Sequence, residues 1–280
     1  MIKFIAEVSS NHNKDINRCL RFIDVAKQIG CDAVKFQLFK IDELFAPEIL
    51  SKSSEHRRRK EWELPHEFLP IISNHCKKIG IEFGCTPFFI DAVDILLPYV
   101  DFFKIASYEL LWDGLLDKCA KTGLPIILST GMANMLEINN ACKIILNTNL
   151  DLTLLHCNSA YPTPVTHANL AAIETLRSKF NLKVGWSDHS VNKNVIKRAI
   201  YKWDAEVIEF HLDLDEHGEE FESGHCWLPD NMQPVIADVR ALPIIDGDGI
   251  KEPSASEMAD RNWRADPIDG LRPISSIRSL

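Results

Sequence analysis

Eight short apolar runs, spaced as a strand–helix–strand chain spaces them, constrain this sequence more than any other feature. In order they are Lys3–Val8, Ala33–Leu38, Ile81–Cys85, Phe102–Ala106, Pro125–Ser129, Leu152–His156, Leu182–Trp186 and Val207–His211. They are continuously apolar and rich in β-branched residues, the pattern of strands covered on both faces. Between them lie segments of helical period, such as Ile16–Ile29, Leu136–Leu146 and residues 192–203. Three such segments pass to the next strand through a Lys/Gly signature, KQIGCDAV, KKIGIEF and AKTGLPII. The glycine there supplies a left-handed C-cap residue. Strands and helices in strict alternation predict an α/β fold, a (β/α)8 TIM barrel, with a doubly wound open sheet as the alternative. The count closes before a last helix near residues 231–242. Residues 1–245 are therefore assigned to one catalytic barrel. Residues 246–280, rich in Pro, Ser and Asp, form an irregular extension laid on the barrel or exchanged with a partner subunit.

Composition narrows the function classes. A net charge of −9 argues against nucleic acid as a partner. The longest apolar runs are strand-sized, which argues against a membrane span, and MIKFIAEVSS enters a strand with no signal-peptide pattern. The 8 cysteines form no CxxC pair, as expected of reduced thiols in a cytoplasmic protein. An anionic substrate would need a local group of Lys or Arg to reverse the field in one cleft.

A barrel builds its active site at the C-terminal ends of its strands. Those ends carry Glu7 and the run Ser9–His12; Lys35 and Gln37; Thr86; Lys104, Ser107 and Glu109; Ser129, Thr130 and Gly131; His156, Asn158, Ser159 and Tyr161; Ser187, Asp188 and His189; and Glu209, His211 and Asp213. Lys35 and Lys104 lie inside apolar strands, where an unpaired ammonium costs several kcal/mol, so each requires an anionic partner. That partner is either a barrel carboxylate or a bound anion, for which the neighbouring Ser and Thr hydroxyls are suitable donors. His189 and His211 end consecutive parallel strands and so converge on one rim, a candidate divalent-metal site with open positions. Two unrelated loop histidines are the competing reading. His156 reads as a core histidine, and His12 and His75 as ordinary. The long connection Lys40–Pro65, with the basic run His56–Lys60 before Glu61 and Trp62, reads as a lid or as a solvated face.

The strings AEVSSNHNKD, AVKFQLF, CTPF, FKIASYE, PIILSTGM, LLHCNSAYPTP, GWSDHS and IEFHLDLD, in this order, resemble the sialic acid synthase family of N-acetylneuraminate, legionaminate and pseudaminate synthases. The resemblance spans about residues 4–215. It implies a (β/α)8 barrel that condenses phosphoenolpyruvate with the open-chain aldehyde of an N-acylated hexosamine, releasing phosphate and a nonulosonic 2-keto acid. It implies Mn²⁺ or Mg²⁺ on His189 and His211. Phosphoenolpyruvate would be held by Lys35, Thr86, Lys104, Ser107, Ser129, Ser159 and Ser187. Glu7, Tyr161 and Glu209 would lie around sugar and metal, and Glu109 near the reacting centre. Glu7, Glu109, Lys104 and His211 would be the catalytic groups. A homodimer is the family's usual assembly.

Two departures fall on the sugar side. Members usually carry a C-terminal antifreeze-like domain, and a chain ending at Leu280 leaves no room for it; Arg264 in the tail is the candidate replacement for its sugar contact. After the eighth strand the usual GPDH becomes GEEFESGHCWLP, with Glu222 near the place of the acidic sugar contact and His225 as an extra polar group. Alternatives that remain are a phosphoenolpyruvate-dependent synthase of another 3-deoxy-2-keto sugar acid, and a catalytically silent sugar-binding subunit.

Overall fold

In the computed structural model, which describes residues 2–278, the sheet closes on itself. The strands are β1 (Lys3–Glu7), β2 (Ala33–Leu38), β3 (Glu82–Pro87), β4 (Phe102–Ile105), β5 (Ile126–Ser129), β6 (Leu152–Cys157), β7 (Lys183–Asp188) and β8 (Val207–Leu212). All pair in parallel in chain order, and β8 returns to β1 with His211 opposite Glu7. The closure excludes the open doubly wound sheet. Helices Ile16–Gln28, Met135–Leu146 and Lys193–Trp203 occupy the expected segments, started by side-chain caps from Asp15, Asn134 and Asn192. The three Lys/Gly exits carry φ values of +96°, +70° and +75° at Gly30, Gly80 and Gly123, conformations that only glycine adopts readily.

An element the sequence did not announce is β9 (Cys226–Trp227), two residues that pair with the end of β8, Cys226 opposite His211 and Trp227 opposite Leu212. It follows Gly224, whose φ of +85° turns the chain back toward the barrel.

The barrel interior fixes where the site can be. One core fills the space between helices and strands, and a second, separate cluster consists of Ile5, Ala33, Phe102, Ile127, Leu155 and Val207. These six come from six different strands and form the floor. The other two strands place glycine at this level. A Cβ on Gly84 would lie 2.1 Å from the Phe102 ring, and one on Gly185 would lie 2.2 Å from the Val207 carbonyl oxygen. The six side chains therefore fill the floor only if β3 and β7 are bare there.

Side chains two residues apart on a strand share a face. One step toward the C-terminal end, the inward positions are Glu7, Lys35, Thr86, Lys104, Ser129, Cys157, Ser187 and Glu209, all buried. A ring of polar and ionisable groups thus lies directly on an apolar floor.

Contacts divide the described chain into two compact units at Val239 and Arg240, inside the helix Pro229–Asp246. The second unit is irregular, as its composition implies, with 3-10 turns at Ala255–Glu257, Arg261–Trp263 and Ser275–Ile277. Its centre is the carboxylate of Asp266, which accepts from the backbone N–H groups of Ile268 and Ser275. Among the described residues no helix is long and apolar enough to cross a membrane. All eight cysteines are free thiols and buried.

Candidate active site

The polar ring is knitted together across strands. Lys35 forms an ion pair with Glu7, its Nζ lies 4.0 Å from Glu209, and it donates to Thr86 Oγ1 at 3.2 Å. Lys104 donates to Ser129 Oγ at 2.7 Å and to the Ile105 carbonyl at 3.2 Å, and lies 3.6 Å from Glu209. Glu7 Oε1 also accepts from Ser9 N and Gln37 Nε2, each at 2.9 Å, and Glu209 accepts from Ser187 Oγ at 3.1 Å. Both buried lysines have the anionic partners that burial demands. The partners are protein carboxylates, so the ring balances its own charge and does not by itself reverse the field of an acidic protein.

Burial opposes charge on Lys35, Lys104 and Glu209 alike, and the neighbours decide how far it prevails. Desolvation alone would lower Lys35, but Glu209 and Glu7 outweigh it and raise its pKa. For Lys104 desolvation prevails over Glu209, and its pKa falls. Desolvation would raise Glu209; Lys104 and Lys35 overcome this and hold it below the usual carboxylate range.

Above the ring, on the side of β4 to β6, is a hydroxyl-lined cradle. Gly131 N–H donates to Ser107 Oγ at 3.0 Å, and Ser107 Oγ lies 3.3 Å from Cys157 Sγ. A Cβ on Gly131 would meet Ser159 Oγ at 2.3 Å, Ser107 Oγ at 2.8 Å and Cys157 Sγ at 3.0 Å. Any side chain at this position would fill the space those groups enclose. Ser159 Oγ is buried without a partner among the described residues. Glu109, closing the 3-10 turn Ser107–Glu109, is buried with Oε2 unpartnered. Burial pushes its carboxyl up to about 7, against the opposing charge of Lys104. It can therefore hold or release a proton near neutrality.

Beside it, at the ends of β7 and β8, the imidazoles collect. His189 Nδ1 lies 2.8 Å from the Asn158 carbonyl oxygen, which can only accept, so Nδ1 carries the proton and Nε2 presents a lone pair. Burial, aided by His211, pushes His189 down to about 3 and keeps it neutral. The His189 and His211 rings are 5.4 Å apart between centroids, within the span of two imidazoles each about 2.1 Å from one ion. The Tyr161 ring lies 4.1 Å from His189 and 5.1 Å from His225. The donor set suits a divalent cation.

Two members of this cluster were not assigned to it from sequence. Glu220 receives Ser10 N–H at 3.2 Å and Ser10 Oγ–H at 2.7 Å on Oε1. Its Oε2 faces His211 Nδ1 at 3.0 Å and His225 Nε2 at 3.6 Å. Desolvation opposes ionisation of Glu220, yet the hydrogen bonds from His211 and His225 hold it well below the usual range. Burial would lower His211, and the bond and charge of Glu220 outweigh it and raise its pKa.

Glu222 is exposed and does not join the cluster. The helix Glu219–Glu222 is a single turn, so only Glu220 of its acidic residues faces inward, a register that the EEFE spacing could not fix. Arg264 is exposed in the second unit, where its Nε donates to the Arg261 carbonyl. Asp188 and Asp213 turn away from the imidazoles. Asp188 accepts from Trp186 Nε1, Trp227 Nε1, Ser190 Oγ and Val191 N, and so anchors the end of β7. Asp213 is clamped by Arg18 at 2.8 Å. His156 bonds the Ala168 carbonyl at 3.0 Å and is a structural residue. His12 is fully buried and takes Lys14 N–H on Nδ1. The connection Lys40–Pro65 does reach the site. Arg59 and Trp62 join Ser9, Ser10, Gln37, Phe88 and Glu220 around a cavity of about 180 Å³, while Arg57, Arg58 and Lys60 are exposed.

The NeuB family model matches residues 22–251. An uncharacterised Methanocaldococcus jannaschii protein, MJ1065, is 40% identical over 90% of this chain and 74% of its own length. The N,N'-diacetyllegionaminic acid synthase of Campylobacter jejuni is 34% identical over 92% of this chain and 81% of its own length. Among solved structures, an N-acetylneuraminic acid synthetase from Leptospira borgpetersenii superposes with a TM-score of 0.81 at 32% identity, covering 92% of this chain and 90% of that one.

Proposed function

Because this chain belongs to the NeuB family, we propose that it is a sugar-acid synthase that condenses phosphoenolpyruvate with the open-chain aldehyde of an N-acylated hexosamine. The products are a nonulosonic 2-keto acid and inorganic phosphate. The relatives named as synthases of legionaminic, pseudaminic and N-acetylneuraminic compounds support this class. The observation that carries the reading is the juxtaposition, on one rim, of a hydroxyl-lined cradle beside two buried lysines with a cluster of imidazoles and a carboxylate.

In this reading Lys35 and Lys104 turn part of their pairing from Glu7 and Glu209 to the carboxylate and phosphate of phosphoenolpyruvate, with Thr86, Ser107, Ser129, Ser159 and Ser187 as hydroxyl donors. Carbon 3 of phosphoenolpyruvate attacks the aldehyde carbon, and the aldehyde oxygen takes up a proton. Water adds to carbon 2 and loses a proton, and the carbon–oxygen bond to phosphate then breaks as the new hydroxyl passes its proton to the departing phosphate, leaving the ketone. Glu109, which holds a proton near neutrality, is the candidate donor; Glu7, released from Lys35, is the candidate acceptor. Tyr161 and the Arg59–Trp62 cavity bound the sugar side. A divalent ion held by this imidazole cluster would supply Lewis acidity toward the aldehyde.

The test is phosphate release from phosphoenolpyruvate with Mn²⁺ and a panel of N-acylated hexosamines, with mass spectrometry of the products. Release matched by a new acid three carbons longer than one acceptor is the expected result. No release with any acceptor, from folded metal-loaded protein, would overturn the reading.

A further inference from the structure

We propose that Arg59 is the residue that recognises the acyl group of the acceptor. Its guanidinium donates to the acyl carbonyl, and the acyl chain lies on the apolar part of the same cavity wall. The inference rests on the condensation reading above and names the substituent that the Arg59–Trp62 cavity takes. That cavity measures about 180 Å³, less than the roughly 300–1,000 Å³ of pockets that enclose a whole ligand. It is room for a substituent, and its position says which one. Gln37 and Glu220 line it. Gln37 donates to Glu7 Oε1 at 2.9 Å, and Glu220 faces His211 Nδ1 at 3.0 Å. The cavity thus adjoins both the polar ring and the imidazoles, where the condensation reading puts the acceptor aldehyde. In a 2-acylamino sugar the acyl group is carried on the carbon next to that aldehyde.

The connection Lys40–Pro65 brings Arg59 to this place and holds it there. On one side of it Arg58 pairs with Glu219 at 3.5 Å. On the other, the Lys60 carbonyl accepts from Lys14 Nζ at 2.7 Å, and Lys60 Nζ pairs with Asp42 at 3.1 Å. Glu63 ties the end of the connection to its start by accepting from Ile41 N–H at 2.8 Å. Of the basic residues 57–60, Arg59 alone is half-buried and the others are exposed. Its guanidinium lies 5.4 Å from the Trp62 ring and 5.8 Å from the Phe45 ring, contacts that fix the plane of the fork. The exposed Glu55 engages Nη2 at 3.4 Å, while Nε is buried without a partner among the described residues. A buried donor left unpaired costs free energy that an acceptor beside it would recover.

The walls select an amide over the other groups a sugar can carry. Ser10 Oγ gives its hydrogen to Glu220 Oε1 at 2.7 Å, so toward the cavity it can only accept, whereas Arg59 can only donate. A secondary amide offers one acceptor and one donor, and the two walls match it. Phe39, Ile41, Leu44 and Phe88 supply the apolar part of the lining, suited to the alkyl end of an acyl group. A phosphate on the acceptor would stand against the Glu220 carboxylate with a single guanidinium to offset it. A free ammonium would stand against Arg59. Each is a like-charge contact that the neutral amide avoids.

Calorimetric titration tests the contact, with phosphoenolpyruvate present and metal chelated so that no turnover intervenes. The probes are N-acetylmannosamine, other 2-acetamido hexoses and the corresponding free amines. Wild type should bind at least one acetylated sugar tenfold or more tightly than its amine. Arg59→Met, shown to be folded by circular dichroism, should weaken that sugar at least tenfold, about the weight of one charge-assisted hydrogen bond, without weakening the amine. Arg57→Met removes the same charge from an exposed position of the run and should change neither. Wild type that binds acetylated sugars no better than amines would overturn the proposal, and so would a folded Arg59→Met that keeps the preference. The phosphate-release assay is read separately. An Arg59-dependent acyl preference in a protein that consumes no phosphoenolpyruvate would uphold this contact and sink the reaction. Phosphate release with an acceptor KM that Arg59→Met leaves unmoved would uphold the reaction and sink the contact.

Discussion

Replacing Glu109 by Gln should remove a pH-dependent weakness from the native protein. Glu109 is 8% exposed, its Oε2 has no partner, and burial raises its carboxyl from 4.5 to about 7. Between those values the native state holds a proton that the unfolded chain has released. The contribution is therefore fully present below about 4.5 and is lost as pH rises through about 7. At about 1.4 kcal/mol per pKa unit, the loss amounts to roughly 3 kcal/mol. Glutamine is neutral at every pH and has no such loss. The unfolding free energy of Glu109→Gln minus that of wild type should thus rise by roughly 3 kcal/mol between about pH 4.5 and 8. For 280 residues at about 2.1 cal/mol/K of unfolding entropy each, this is about 5 °C in relative melting temperature. Paired thermal and urea melts of variant and wild type across that range measure it, and the subtraction cancels every other titrating group. A difference that stays flat with pH would mean that Glu109 ionises as a solvated carboxyl does, and would remove it as a proton donor.

The cradle and the lysine ring make separate predictions. Gly131→Ala places a methyl group 2.3 Å from Ser159 Oγ and 2.8 Å from Ser107 Oγ. It should raise the KM for phosphoenolpyruvate tenfold or more with an unchanged circular dichroism spectrum, and an unchanged KM would detach the cradle from the anion. Lys104→Met removes the nearer of the two lysines that face Glu209 and should cost about 3–5 kcal/mol of stability. Adding Glu209→Gln should recover most of that in denaturant melts without recovering turnover. A double variant no more stable than the single one would show that the two charges are not energetically linked.

How far the sequence disclosed this site follows from which physical signals are local. A lysine inside AVKF or FFKI is legible because burial of an ammonium demands a partner, and strand alternation then puts all eight inward groups at one level. The glycines at 84 and 185 carry no such signal, since what excludes a side chain there is a ring or a carbonyl on the next strand. Asp188 and Asp213 adjoin the two histidines in the chain, which is the only proximity a sequence displays. In space they serve Trp186, Trp227 and Arg18. Nothing in the sequence separates Glu220 from Glu222, because a one-turn helix has no period to read, and β9 is too short to show alternation. The registers missed are those set by contacts more than 200 residues apart in the chain, such as Ser10 with Glu220 and Asn11 with Cys226.

If the chain takes a phospho-acid as proposed, the charge count of the ring accounts for how a protein of net charge −9 would do so. A permanent surplus of lysines would have to be buried uncompensated whenever the site stood open, at a cost of several kcal/mol per ammonium. Pairing Lys35 and Lys104 with Glu7 and Glu209 removes that cost. An entering anion then competes for ammonium groups already dehydrated and fixed in direction, which is the form of preorganisation that strengthens electrostatic contacts. The displaced carboxylates keep partners on one oxygen each, because Ser9 N–H and Gln37 hold Glu7 Oε1, and Ser187 holds Glu209 Oε1. Those second partners are what make the exchange reversible. On the proposed reading they would leave Glu7 free as a proton acceptor only while substrate occupied the lysines.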